Sequence, residues 1–225
     1  MRAGSVGAAG HVGLVVSRSY GHSLWANVLE HALPHRGLSR EVFWWRVRNL
    51  RHLWRGLWRV FVAWLLGIPT HLGVLYLDVV RVTGERVRYG MASMRVVTTV
   101  GAGYIVDAFQ TSTSIELENM KYHGIGTGTN AEAVGDTALQ TELTTQYNPD
   151  NTRATGTTTE NGATVYRTVG TNTVDAAAAV TEHGILSQAA TGGGVLLDRS
   201  VFSVVNLANG DSLQSTYDLT ITAGS

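Results

Sequence analysis

Residues 201–221 read VFSVVNL, then ANGD, then SLQSTYDLTI, and this stretch decides the fold. Leu213, Tyr217, Leu219 and Ile221 alternate with Gln214, Thr216, Asp218 and Thr220. That period of two belongs to a strand with one wet and one buried face. Asn209-Gly210-Asp211 is a strong turn signal, and Val201–Leu207 reads as the antiparallel partner of the strand that follows it.

Working back along the chain, the same logic finds more strands. Ala178–Ser187 is one, closed by Ala190-Thr191-Gly192-Gly193-Gly194. Arg153–Thr159 and Thr164–Val169 flank an Asn161-Gly162 turn and form a hairpin. Ser114–Gly124 carries Ile115, Leu117, Asn119, Lys121 and His123 on one side. Val96–Val100 and Gly103–Phe109 form a first pair, or one long strand bent at Gly101, and Asp136–Leu143 is expected to make one helical turn over the sheet. Threonine and valine, abundant after Met91, suit a pleated surface because branching at Cβ costs less there than in a helix. The expectation for 91–225 is an antiparallel β-sandwich or jelly roll.

Composition breaks near Met91. All six tryptophans (Trp25, Trp44, Trp45, Trp54, Trp58, Trp64) lie before it. Residues 1–90 hold twelve basic groups against four acids, whereas 91–225 hold five against thirteen, so the formal charge of zero is a cancellation. The break suggests two segments with separate roles, 1–90 and 91–225. In the first, Arg48, Arg51, Arg55 and Arg59 recur at helical spacing opposite Val47, Leu50, Trp54, Leu57, Trp58 and Phe61. Such a stripe fits a membrane interface, and Val60–Leu77 has about the ~20 residues that cross a bilayer, although Gly67, Pro69, Thr70, His71 and Gly73 interrupt it. Three readings stay open for 1–90: a membrane-associated helix or hairpin, a buried helical pair, or a spurious extension upstream of a true start at Met91-Ala-Ser-Met94. A membrane partner for 40–80 holds only if that stretch is expressed.

Chemistry is sparse. Absence of cysteine excludes disulfides and thiolate chemistry. Gly124-Ile-Gly126-Thr-Gly128 lacks the lysine and the strand-to-helix context of a phosphate loop. Gly101-x-Gly103 is followed by Val106 where a dinucleotide fingerprint needs a third small residue, and Gly4, Gly7 and Gly10 are low-complexity spacing. All three read as turns or small-residue packing. His123 and His183 are the only histidines after Met91, and Glu182 and His183 on one strand point to opposite faces. A metal or acid–base role would need help from Asp107 or Asp136, which no spacing supports; each histidine reads as half-buried and hydrogen-bonded within a sheet. Asp175, Asp198, Asp211 and Asp218 are scattered rather than set out as a calcium loop. No catalytic, metal-binding or cofactor-binding residue is assigned, and the expectation is that the chain is not an enzyme. A net acidic 91–225 is not expected to bind nucleic acid.

The blocks Gly124–Asn130, Gly135–Glu142, Val180–Ser187 with Ala190–Gly193, Asp198–Ser203, and Asn209–Gln214 with Tyr217–Ile221 resemble small structural proteins of tailed bacteriophages. The resemblance covers Met91–Ser225 only. It implies a virion component with a β-sandwich or jelly-roll fold: a capsid decoration (cement) protein stabilising the head shell, or a tail or fibre-associated protein. It implies a phage capsid or tail protein as partner, a homo-oligomer and no catalytic residue. Contact elements would be an extended arm at Met94–Phe109 and the loop Gly126–Gly135, since a terminal strand is the easiest sheet edge to expose. The rival reading from another class is a membrane-anchored β-sandwich surface or adhesion protein.

Overall fold

The computed structural model describes residues 38–66, 71–110 and 116–221. It is mainly β, with two antiparallel sheets packed together and a helix ahead of them, so the expected sandwich is what forms. The elements are helix α1 (Arg40–Leu65), strands β1 (His71–Val80) and β2 (Arg86–Val96), and helix α2 (Thr99–Asp107). Strands β3 (Tyr122–Gly126), β4 (Ala154–Thr155), β5 (Thr157–Glu160), β6 (Val165–Thr173), β7 (Ala178–Leu186), β8 (Leu196–Leu207) and β9 (Ser212–Ile221) follow. One sheet runs β2-β1-β9-β6-β5 and the other β4-β3-β7-β8.

The hairpin expected between Val201–Leu207 and the last strand is corrected. The turn at Asn209-Gly210 exists, with Gly210 at φ 84°, but it carries the chain from one sheet to the other. β8 pairs with β7, while β9 lies between β1 and β6. Asp211 holds the crossing: its carboxylate accepts from the Ala208 and Val82 amides and from Arg81 Nη1 at 2.8–3.0 Å. The place beside β9 is filled by β1, which comes from the tryptophan-rich half.

That changes the account of 1–90. The break between residues 90 and 91 falls inside β2, where Gly90 pairs with Leu77 and Met91 with Tyr76. Residues 71–90 therefore supply strand residues to the first sheet, and α1 packs on it. Residues 1–37, which hold Trp25 and the Gly4, Gly7, Gly10 run, lie outside the described residues, as do Gly67, Pro69 and Thr70. The apolar run at Val60–Leu77 is a helix end followed by a strand covered on both faces. Leu75, Leu77 and Val79 enter the main core with Ile125, Val180, Phe202, Val205 and Leu213. Leu72, Val74 and Tyr76 face α1 through Leu53, Leu57 and Val60, joined by Met91 and Met94. A strand buried on both sides loses its alternation, and a short apolar run cannot then be told from a span by periodicity. Among the described residues no helix is long and apolar enough to cross a membrane.

Ser39 starts α1, accepting from the Val42 amide with its hydroxyl and from the Phe43 amide with its carbonyl. Glu41 adds a favourable carboxylate in the first turn. The helix spans the gap between β2 and β8, each the edge strand of its sheet. Trp45, 1% exposed, enters the main core and donates Nε1–H to Ser203 O at 2.7 Å. Arg46 Nε donates to Tyr89 O. Asn49 joins both edges at once: Nδ2 donates to Ala92 O (2.8 Å) and Oδ1 accepts from the Ser203 amide (2.9 Å). Unpaired strand edges invite further pairing, and these side chains occupy them. The approach is close enough that a Cβ on Gly56 would sit 2.4 Å from Met94 O.

Other expectations fare unevenly. The Asn161-Gly162 hairpin forms as β5–β6, and Ala178–Leu186 is β7. Thr99–Asp107 is a helix, not a strand: Thr98 caps it by accepting from the Gly101 amide. Of Ser114–Gly124, Leu117–Asn119 is a short 3-10 turn and the strand starts only at Tyr122; Ser114 and Ile115 lie outside the described residues. Asp136–Leu143 makes no helical turn.

Candidate functional site

Two places concentrate polar or unusual chemistry, one inside the sandwich and one on the outer face of α1.

Inside, His123 on β3 and His183 on β7 meet. The register sets His123 opposite Ile185 and His183 opposite Ile125, so the two are diagonal neighbours on one face, within reach of long side chains. His123 Nδ1 lies 3.0 Å from His183 Nε2, and His123 Nε2 lies 3.1 Å from Thr168 Oγ1 on the facing sheet. Both rings are fully buried, not half-buried as expected. Burial pushes His123 down to about 3, and burial with the His123 charge lowers His183 as well. Both are therefore neutral at pH 7, sharing one hydrogen between facing nitrogens. Nearby on the same inner layer, burial raises Asp198 to about 7, opposed by a Ser200 hydrogen bond and by Arg95. Among the described residues no three histidine, aspartate or glutamate side chains come together as a metal site.

The expected partners are elsewhere. Asp107 is exposed on α2, and Asp136 pairs with Arg199 at 3.0 Å. Glu182 does point away from His183, and its work is structural. Its Oε1 accepts from the Gly128 and Thr141 amides and its Oε2 from the Gln140 amide and Arg199 Nε, at 2.7–3.0 Å. That carboxylate fixes the loop after β3. It also accounts for the glycine run: a Cβ on Gly126 would lie 2.4 Å from Thr141 O, and one on Gly128 2.5 Å from Glu182 Oε1. The expected arm at Met94–Phe109 is the end of β2 followed by α2.

On the outside, α1 shows solvent an unusual surface. Phe43, Val47, Leu50, Trp54, Trp58, Phe61 and Leu65 are each at least 40% exposed, with Trp54 at 68% and Leu65 at 65%. At 3.6 residues per turn these seven fall within a sector of roughly 80°. Arg40, Arg48, Arg51, Arg55 and Arg59 fill the adjoining sector and are all exposed. Among the described residues none of these five forms an ion pair with a carboxylate. The local field is strong: burial, then Arg51, Arg95 and Arg55, lower His52 to about 4. Scattered apolar residues on a surface are ordinary, whereas here seven exposed apolar side chains, four of them aromatic, share one face of a single helix.

Sequence periodicity exposed the arginine–tryptophan stripe but not which face the sandwich would take. The histidine pair carried no signal, because register alone decides whether two residues sixty positions apart meet.

The class defined is a β-sandwich whose open flank is bridged by one amphipathic helix. No protein-family model matches the chain, and no curated protein matches it.

Proposed function

We propose that this chain is a non-enzymatic structural protein of a tailed-bacteriophage particle, working as a capsid decoration or cement protein. The observation carrying the reading is where the phage-like blocks fall. Val180–Leu186, Asp198–Ser203 and Tyr217–Ile221 lie on β7, β8 and β9 and Gly124–Gly126 on β3, while Thr127–Asn130 and Gly135–Glu142 form the loop that the Glu182 carboxylate ties to the sheet. Interior polar groups support it: Glu182, Arg153, Arg167 and Arg199 are sealed in bonds that hold loops and strands. A rigid sandwich repeated over a shell gains avidity that a single contact lacks.

A tail or fibre position is the second reading. It is favoured by the aromatic face of α1, because attachment through one flank leaves the rest of the sandwich free. Peptide-resolved mass spectrometry of purified particles tests both. The decoration reading expects many copies per particle, with peptides from 40–90 as well as from 91–225. Few copies confined to tail fractions would favour the second reading, and absence from particles would overturn both.

A further inference from the structure

We infer that the outer face of α1 is an in-plane membrane-binding surface whose partner is the headgroup region of an anionic lipid bilayer. This goes beyond the particle reading and stands or falls separately from it.

The other face of α1 is anchored to the sandwich. Val42, Trp45, Asn49, Leu53 and Gly56 are buried against the sandwich, so α1 is fixed in place and its outward residues are presented by a rigid support. The outward row of Phe43, Val47, Leu50, Trp54, Trp58, Phe61 and Leu65 is exposed along the length of α1. With 26 residues, α1 is roughly 39 Å long at ~1.5 Å per residue. A planar interface matches that shape. Tryptophan rings settle at headgroup depth, where one edge is apolar and the other wet. Five arginines along one side of the row place guanidinium groups at the level of lipid phosphates, with stems long enough to adjust depth. A helix with an apolar face, a basic flank and little overall hydrophobicity lies in the interface rather than crossing it, and α1 is not apolar enough to span.

Charge selects the lipid. The exposed flank carries five arginines, and the one acid of α1, Glu41, already accepts from Tyr89 Oη at 2.9 Å. A second copy docked face to face would bring five more exposed arginines against a single α1 carboxylate, Glu41, which already accepts from Tyr89. An anionic bilayer supplies both apolar depth and negative charge.

The test is flotation of the full chain with vesicles of phosphatidylcholine alone and of phosphatidylcholine mixed with phosphatidylglycerol. Binding is expected to the mixed vesicles and to weaken as salt rises. Trp54→Ala with Trp58→Ala should lower partitioning about tenfold or more. Arg51→Gln with Arg55→Gln should lower it about fivefold for each arginine, on the anionic vesicles only. The thermal transition should stay in place for both variants, and if the tryptophan pair fails to fold, the arginine pair carries the test. Three results overturn the inference: no binding of the folded chain to anionic vesicles, binding that ignores both variants, or self-association that the tryptophan variants abolish in a chain that never floats.

Discussion

Arginine serves opposite ends in two regions of this molecule. In α1, Arg40, Arg48, Arg51, Arg55 and Arg59 are exposed. In the sandwich, Arg153, Arg167 and Arg199 are almost completely buried and each grips carboxylates: Glu142, Asp218, and Glu182 with Asp136. The difference teaches how the formal charge of zero is built. Acids of the C-terminal region are partly consumed inside by that region's own arginines, so the helix keeps its positive charge on the surface. Among the described residues, charge reaches from the helix to the sandwich through Glu41 with Arg81, at 3.9 Å. What joins the regions is apolar burial and the edge-capping bonds of Trp45, Arg46 and Asn49.

The contrast can be broken at its strong end first. Arg167→Ala leaves Asp218 buried without its bidentate partner at 2.6 and 2.7 Å. We predict a loss of about 3–5 kcal/mol in urea unfolding; a loss under 1 kcal/mol would mean the pair is not sealed. Asn49→Leu keeps volume but strands Ala92 O and the Ser203 amide, and should cost about 2–3 kcal/mol. A neutral result there would show that α1 does not cap the two edges.

Acid should act on the interior pair. His123 and His183 are held below their ordinary value, so the unfolded chain binds more protons below about pH 6.5 and stability falls as pH drops. Asp198, raised to about 7, works in the opposite sense: the folded chain holds its proton between about pH 4 and 7, so its contribution falls as pH rises. Two histidines against one aspartate leave a net slope of about one proton, or about 1.4 kcal/mol per pH unit between pH 6 and 5. Half-buried His52 adds a smaller share of the same sign. Asp198→Asn should steepen the slope towards two protons. A flat profile in both proteins would show that the histidines are not neutral in the fold.

At the weak end, Arg55→Gln and Trp54→Ala should each change stability by less than about 0.5 kcal/mol, since both side chains face solvent. A loss above about 1.5 kcal/mol from either would place that residue in the fold rather than on an interaction surface.

Much of the architecture was legible in particular residues. Alternation from Leu213 to Ile221 announced β9, Asn161-Gly162 announced the β5–β6 hairpin, and threonine and valine marked the sheets. The β8–β9 turn was visible, but its destination was not, because a turn signal says that the chain reverses and not which sheet receives it. β1 was hidden because burial on both faces erased its period, and α2 because Gly101 and Gly103 weaken a helical pattern. The composition break misled for a related reason: composition tracks what a surface meets, and β1 and β2 meet a helix as well as a sheet. As for the site, the stripe on α1 was readable from spacing, whereas the His123–His183 contact exists only through the pairing of β3 with β7.

The central claim is that residues 40–90 and 91–221 make one cooperative unit. Urea unfolding of the full chain and of a chain beginning at Met91, followed by far-ultraviolet circular dichroism, tests it most directly. A single sharp transition is expected for the full chain and none for the shorter one, which lacks β1 from beside the central strand β9 and Trp45 from its core. A shorter chain that unfolds cooperatively at the same urea midpoint would contradict it and return residues 1–90 to the standing of an appendage.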